Sequence, residues 1–489
     1  MLTERGGVGR GRGGCGLGEG DASRSASSRG SSTSALPDSG IIATMLIRLS
    51  GLPRRLPRRA PPLSARAAVR ALSSAPLGSG APAYDAGDDD GDVGGDAFHP
   101  TAEHRALREM VASFVANEVE PQALEYNRNE RLNRALFDRA GELGLLGVTV
   151  DPAYGGAGMD ATAACIVHEE LSYSDPAFCL SYLAHSQLFV NNLARNGTPE
   201  QCARLLPRAC SGELIGGMGM SEPEAGTDVL GMTTHAAAQP DGSFVLNGGK
   251  MWITNGAVSD SELGDAFLVY ARTAGPETKP SRAISLFLVE KGMAGFSLGQ
   301  RLKDKCGMRA SPTAELVFED VRLPPESLVG QLGGATVCMM RNLEIERVVL
   351  AAMAVGIARR SLQAMNAYAN ERKAFGASLS SFGQIQKYIA DSYAEYMAGK
   401  TYLYHTANAL DLDSAGNRLD TDGVKLYCTT MGKNCADRAM QVMGGYGYMG
   451  EYAVERLWRD AKLLEIGGGT LESHQKNMAR ELAHVHTMP

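Results

Sequence analysis

The pattern of apolar and polar positions divides the chain into three parts. From 101 to about 212, apolar residues recur at helical spacing. Leu107, Met110, Val111, Phe114, Val115 and Val119 form one stripe, which Pro121 is expected to close. A second helix is expected near 130–143, a loop at 152–158, and further helices around 161–173, 178–195 and 199–209. Glu169 and Glu170 are adjacent, so they point in different directions and read as solvated or capping charges. Near Gly216 the pattern changes. The runs 244–246, 267–270, 284–289 and 316–318 are short and β-prone, with turn signals at 240–242, 247–249 and 275–276. From about 333 the helical period returns in long segments broken by Gly-rich corners. The expected class is α+β: a helical domain at 98–215, a small antiparallel β domain (barrel or sandwich) at 216–330, and a four-helix bundle at 331–489.

One position interrupts this pattern. The proline-free run from Ala335 to Phe375 carries Met339, Leu343, Leu350, Met353 and Ile357 on one helical face. Glu346 lies in register with them, three residues after Leu343 and four before Leu350. Such a glutamate is either an edge residue paired with Arg347 or Arg341, or a carboxylate held against apolar neighbours. In the second case burial raises its pKa, as a general base at neutral pH requires.

Composition adds a leader. Residues 1–82 carry twelve arginines, no lysine and four acids, whereas the rest carries 36 basic and 51 acidic residues. An acidic body argues against nucleic acid as a partner. Residues 1–44 are Gly-, Ser- and Arg-rich without periodicity. From Met45, which reads as an alternative start, seven arginines precede the first acid at Asp85. This is the composition of an organelle transit peptide. Arg70-Ala71-Leu72-Ser73-Ser74 resembles a mitochondrial processing site, and Asp88-Asp89-Asp90 an acidic linker, so 1–97 is taken as leader and linker. The expected location is the mitochondrial matrix. The nine cysteines are scattered without a CxxC pair, so neither a zinc site nor a disulfide framework is indicated, and His484 and His486 alone do not make a metal site. No run of 18 apolar residues occurs, so no membrane span is expected.

Three stretches carry candidate chemistry. Gly219-Met220-Ser221-Glu222-Pro223-Glu224-Ala225-Gly226-Thr227-Asp228 has the small residues and hydroxyls that let backbone N–H groups approach a ligand. Lys250-Met251-Trp252-Ile253-Thr254-Asn255-Gly256 holds one of two tryptophans, with a threonine on the same strand face. Gln441-Val442-Met443-Gly444-Gly445-Tyr446-Gly447-Tyr448 leads into Glu451, Arg456 and Asp460; without a preceding strand it is no Rossmann fingerprint. Together, and in this order, these stretches resemble the acyl-CoA dehydrogenase family, over about 100 to 485. That family's fold has a helical domain, a β domain and a four-helix bundle.

The resemblance implies FAD as cofactor. Ser221 and Thr254 would hydrogen-bond the flavin ring, with Trp252 against it, and Thr227 would meet the pyrophosphate. Arg372 would reach the FAD of a neighbouring subunit, with Phe375 beside it, which implies a homo-oligomer, a tetramer in this family. Gln441 and Gly445 would hold the adenosine part, and Thr470 would close the site. Met218 stands where the family usually has an aromatic, and Gly383-Gln384 follows Phe382 where glutamine is usual. The informative departure is at 466–470, Ile-Gly-Gly-Gly-Thr. Most members carry their catalytic glutamate there, at the place of Gly468. The isovaleryl-CoA and long-chain subfamilies instead place it on the first bundle helix before an arginine, as Glu346-Arg347 stands here. Gly467 favours the isovaleryl type, because the long-chain type has a tyrosine there. The implied reaction is α,β-dehydrogenation of a short branched acyl-CoA, isovaleryl-CoA to 3-methylcrotonyl-CoA in leucine catabolism. The backbone N–H at 468 would stabilise the enolate, Arg347 and Glu344 would serve the CoA end, and electrons would leave to an electron-transferring flavoprotein. Alternatives are a long-chain or other short-chain dehydrogenase, an acyl-CoA oxidase, or a silent member lacking a base.

Overall fold

The computed structural model describes residues 96–414, 416 and 418–484. The transit-peptide stretch, the site at 70–74, the linker at 88–90 and His486 lie outside the described residues. The chain begins with α1 (Ala102–Phe114), capped by the Thr101 hydroxyl, which accepts the His104 N–H. Pro121 does not close this helix. A π turn at Val115–Val119 follows, and α2 (Glu120–Asn129) continues from it with the proline in its first turn. At that position a missing N–H costs little. After α3 (Arg134–Glu142) come α4 (Ala161–Ser174), α5 (Pro176–Leu183), a second π segment, α6 (Asn192–Asn196) and α7 (Pro199–Cys210). Each polar residue ahead of α3, α4, α5 and α7 accepts a first-turn N–H, and Thr198 with Gln201 forms a full capping box.

α4 is buried along its whole length, which overturns the expectation for its two glutamates. Glu169 and Glu170 are 0% and 4% exposed. Arg108 from α1 pairs with both, Arg359 lies 2.5 Å from Glu170 Oε2, and the Tyr404 hydroxyl donates to Glu169 Oε2 at 2.6 Å. The cations that make burial tolerable come from helices far away in sequence, so local pattern could not reveal them.

Eight strands form one sheet, in the order β6-β7-β3-β2-β4-β5-β8, with β1 on β4. They are β1 (Gly216–Gly219), β2 (His235–Ala238), β3 (Phe244–Thr254), β4 (Ala266–Arg272), β5 (Ile284–Glu290), β6 (Phe296–Leu302), β7 (Thr313–Leu323) and β8 (Leu328–Val329). The sheet is mixed, not purely antiparallel: β1 runs parallel to β4, from Gly216↔Ala266 to Gly219↔Val269. Parallel neighbours need a long crossover, and the residues from 220 to 265 supply one. Nothing in Gly-Gly-Met-Gly marks β1 as a strand, because it has no branched or aromatic residue.

The C-terminal part consists of α8 (Ala335–Glu371), α9 (Gly383–Ala409), α10 (Arg418–Met443), α11 (Ala453–Leu464) and α12 (Leu471–Leu482). α8 has 37 residues. Its most apolar window has the length and composition of a membrane span, but 72% of it is buried inside the protein. One apolar core joins α1, α4 and α5 to α8, α9 and α10, and a second joins Met339 and Leu343 of α8 to Met218, Leu268 and Tyr270 of the sheet. α8 is therefore the element on which the helical and β parts meet.

Candidate active site

Glu346 sits in the middle of α8 and is 7% exposed. Among the described residues its Oε2 has no hydrogen-bond partner. Burial pushes its carboxyl up to about 7, against the pull of Arg347 and Lys425 toward the charged form. Such a group exchanges a proton readily near neutrality. The 466–470 segment, between α11 and α12, comes alongside. A Cβ placed on Gly468 would lie 3.4 Å from Glu346 Oε1 and 2.2 Å from Leu350 Cδ1. Gly468 and Gly469 have φ of 65° and 95°, which glycine adopts without strain. So the position that lacks a carboxylate and the position that has one converge on the same place. A Cβ on Gly467 would make ordinary van der Waals contact with Leu463, at 3.5 Å from its carbonyl oxygen, so a methyl group fits there without a clash.

Charged residues also stand close to Glu346 in the chain. Arg347 Nε lies 3.1 Å from Asp422 Oδ1, and both are buried. Glu344 accepts the Gly416 N–H, at 3.1 Å to Oε1 and 3.3 Å to Oε2, so its carboxylate holds the segment ahead of α10. The Thr470 hydroxyl caps α12 by accepting the Ser473 N–H.

A second group gathers at the sheet. Ser221 O accepts the Met251 N–H at 2.9 Å, which fastens the loop after β1 to β3 beside Trp252. A Cβ on Gly217 would touch the Thr254 carbonyl oxygen at 2.9 Å, so Met218 and Ser221 are brought next to Trp252 and Thr254. Between Lys250 and Ile253 the pairing with β7 shifts register, and Trp252 there has φ 60°. Trp252 is nonetheless 54% exposed. A bulky residue thus stands in the sparsely populated left-handed region with its ring outside the core. Thr227 is exposed, on the loop after Ser221. Behind this surface Lys250 Nζ meets Glu222 Oε1 at 2.7 Å, both nearly inaccessible. Burial presses the Glu222 carboxyl up, but Lys250 and the hydrogen bonds from Thr233 and Thr234 bring it down to about 2. Sequence reading missed this pair; a glutamate and a lysine in two adjoining glycine-rich motifs were the available signal.

A third group lies at the far end of α8. Tyr368, Arg372, Leu379, Val442, Met443, Gly445 and Tyr446 are among the residues lining a cavity of about 510 Å³. The Arg372 guanidinium stands 5.9 Å from the Tyr446 ring centroid. Gln441 is exposed on the last turn of α10, next to this cavity in sequence. Phe375 is 98% exposed, at φ 51°. Arg372 is 26 residues beyond Glu346, or about 39 Å along the helices' rise of 1.5 Å per residue. One chain does not bring these two ends together.

Three family models match the chain one after another: the acyl-CoA dehydrogenase N-terminal domain over 101–213, the middle domain over 217–321 and the C-terminal domain over 333–483. The chain belongs to the acyl-CoA dehydrogenase family. It is 40% identical to the mitochondrial isovaleryl-CoA dehydrogenase of Solanum tuberosum over 380 residues, 77% of this chain and 90% of that protein. The corresponding enzyme of Pongo abelii is 40% identical over 372 residues, 76% and 86% of the two chains. Among solved structures, butyryl-CoA dehydrogenase from Megasphaera elsdenii matches with a TM-score of 0.75 at 30% identity, covering 78% of this chain and 99% of that one.

This acyl-CoA dehydrogenase is thus an oxidoreductase with FAD as its cofactor. The residues fit that group. An exposed indole beside two half-buried hydroxyl residues offers a flat ring both a stacking face and polar partners. Among the described residues a Cβ added at Gly444 or Gly445 would meet nothing within 4 Å, so the backbone there is open to close approach at the cavity beside Arg372.

Proposed function

We propose that this enzyme dehydrogenates a short branched acyl-CoA, isovaleryl-CoA to 3-methylcrotonyl-CoA, as a step of leucine catabolism in the mitochondrial matrix, and passes the electrons to an electron-transferring flavoprotein. The observation that carries the reading is the placement of buried Glu346 against Gly468, beside a residue 467 that has no side chain. Glu346 takes the proton from the carbon next to the thioester carbonyl. FAD, when bound, supplies the acceptor for the hydride from the next carbon. Ser221, Trp252, Thr254 and Met218 hold the ring, and Thr227 the phosphates. The backbone N–H of Gly468 stabilises the developing enolate oxygen, a donor that needs no reorganisation. Arg347 orders the helix beside the base. The missing side chain at 467 leaves width for a branch on the β-carbon.

Arg372 and Phe375 serve the cofactor of a second copy, with Gln441 and Gly445 on its adenosine. Their distance from Glu346 and the exposure of Phe375 support a homo-oligomer, a tetramer in our reading. A long-chain substrate is the second reading, and glycine at 467, where the long-chain type carries a tyrosine, argues against it.

Anaerobic flavin bleaching with isovaleryl-CoA, butyryl-CoA and palmitoyl-CoA tests this. Isovaleryl-CoA should be fastest. Gly467→Ala should fold normally and cost the branched substrate about tenfold relative to butyryl-CoA, on the scale of one methyl group in a pocket. Preference for palmitoyl-CoA would overturn the assignment.

A further inference from the structure

The 467–469 segment poses a physical problem. Three consecutive glycines carry no side chain to pack, and glycine loses more freedom on ordering than any other residue. Yet the reaction proposed above needs this segment held beside Glu346. The Gly467 N–H bonds to the Leu463 carbonyl at 2.8 Å, and beyond it the segment is anchored through one carbonyl. Gly469 O accepts from Lys425 Nζ of α10 at 2.6 Å and lies 3.0 Å from His474 Nε2 of α12. A Cβ on Gly469 would lie 3.1 Å from the same imidazole, so the ring is seated directly on the loop. On its other side, His474 Nδ1 is 2.5 Å from Asp422 Oδ1. His474 is 1% exposed and Asp422 0%. Asp422 also faces Arg347 Nε at 3.1 Å and Arg418 Nε at 3.7 Å. The contacts therefore run from the residue next to the base, through Asp422 and His474, to the loop that stands against the base. Both ring nitrogens meet acceptors, so the ring satisfies both at once only when doubly protonated. Burial opposes that state, and Lys425 and Arg347 add to the opposition, while Asp422 favours it.

We propose that the Asp422–His474 pair is a positioning device for the reaction, fixing the three-glycine loop at one separation from Glu346. The proposal rests on the dehydrogenase reading above. His474 and Asp422 are positioning residues: they act through the loop and touch neither substrate nor cofactor.

His474→Leu removes both contacts at similar size. His474→Gln keeps an N–H for the Gly469 carbonyl. With purified holoenzyme, His474→Leu should slow flavin bleaching by isovaleryl-CoA about tenfold or more, as small misplacements of reacting groups do. Flavin content and substrate dissociation constant should stay unchanged, and His474→Gln should recover most of the rate. Hydrogen exchange followed by mass spectrometry should show faster exchange across 466–470 in the leucine variant but not in the glutamine one. Unchanged bleaching and exchange in His474→Leu would overturn the proposal. So would a slow variant that has lost flavin and melts early, with no recovery by glutamine, since that is a merely structural role. If His474→Leu does not fold, Asp422→Asn takes its place: faster loop exchange with retained flavin supports the device, and unchanged exchange defeats it. A wild-type enzyme that no acyl-CoA bleaches sinks the dehydrogenase reading and this proposal together. Normal wild-type bleaching with an unaffected His474→Leu rate sinks this proposal alone.

Discussion

The molecule buries carboxylates in two ways. On α4, Glu169 and Glu170 are enclosed with Arg108, Arg359, Lys400 and Tyr404 around them. Burial presses the Glu169 carboxyl upward, but Arg108, Lys400 and Arg359 outweigh it and hold the group well below the usual carboxylate range. On α8, Glu346 is equally enclosed, but Arg347 is turned toward Asp422, and Lys425 toward the Gly469 carbonyl. Its nearest cations are engaged elsewhere, and burial wins, taking it to about 7. Burial alone therefore does not make a base. The number of cations committed to the carboxylate decides whether it is a fixed charge or an exchangeable proton site.

The sharpest test of this contrast is a pair of isosteric changes. Glu346→Gln should lower flavin reduction by about 10²–10⁴-fold with flavin retained. Glu169→Gln should leave reduction by the folded enzyme within a few-fold but cost about 3–5 kcal/mol of stability, because it strands buried cations. Stopped-flow bleaching and thermal melts of both variants check this. Similar losses of rate in the two would erase the distinction.

Stability against pH should also differ in sign. Glu346 in the folded chain ionises at about 7, above its ordinary value of 4.5. Between those values the folded state binds the proton and the unfolded state does not, so stability falls as pH rises through this window. Glu346→Gln should then gain up to about 3 kcal/mol over wild type at pH 8 and close to nothing at pH 4. Denaturant melts at the two pH values measure it. Glu169 lies below its ordinary value, so its contribution is lost as pH falls.

A smaller effect is expected at Lys425, whose own pKa burial lowers to about 8. Lys425→Met removes a cation that favours ionised Glu346. The rising limb of the rate against pH should move to higher pH, leaving the variant several-fold slower at pH 7, with the gap narrowing above pH 8. A limb that stays in place would remove Lys425 from the electrostatics of the base.

The smallest gain is expected from moving the carboxylate. Gly468→Glu in a Glu346→Gln background brings a carboxylate to the same place, but at φ 65° and with its Cβ 2.2 Å from Leu350 Cδ1. Restored reduction should be slight, and Leu350→Ala should raise it a few-fold by relieving the overlap. Full recovery without the second change would show the segment to be softer than its contacts imply.

Much of this is legible in order along the chain. Helical period places Glu346 inside a stripe, and three motifs single out the stretches that hold Ser221, Trp252 and Gly445. The misreadings have separate causes. Glu169 and Glu170 read as solvent-facing because their partners stand about 60 residues before and about 190 and 230 residues after them. Pro121 looks like a stop because a π turn leaves no periodic signature. β1 is silent because Gly-Gly-Met-Gly carries no strand preference, and its pairing with β4 spans some 50 residues.

What the sequence by itself determined is the order of helical, β and helical regions, the residue types at each motif and the absence of a carboxylate at 468. These are local properties, fixed by period and by side-chain chemistry. The tertiary structure decided which charges neutralise one another. It set Gly468 against Glu346, turned Arg347 and Lys425 away from that carboxylate, and seated His474 on the loop. Those choices depend on distances between helices, and the free energy of a buried charge depends on what stands within a few ångströms of it.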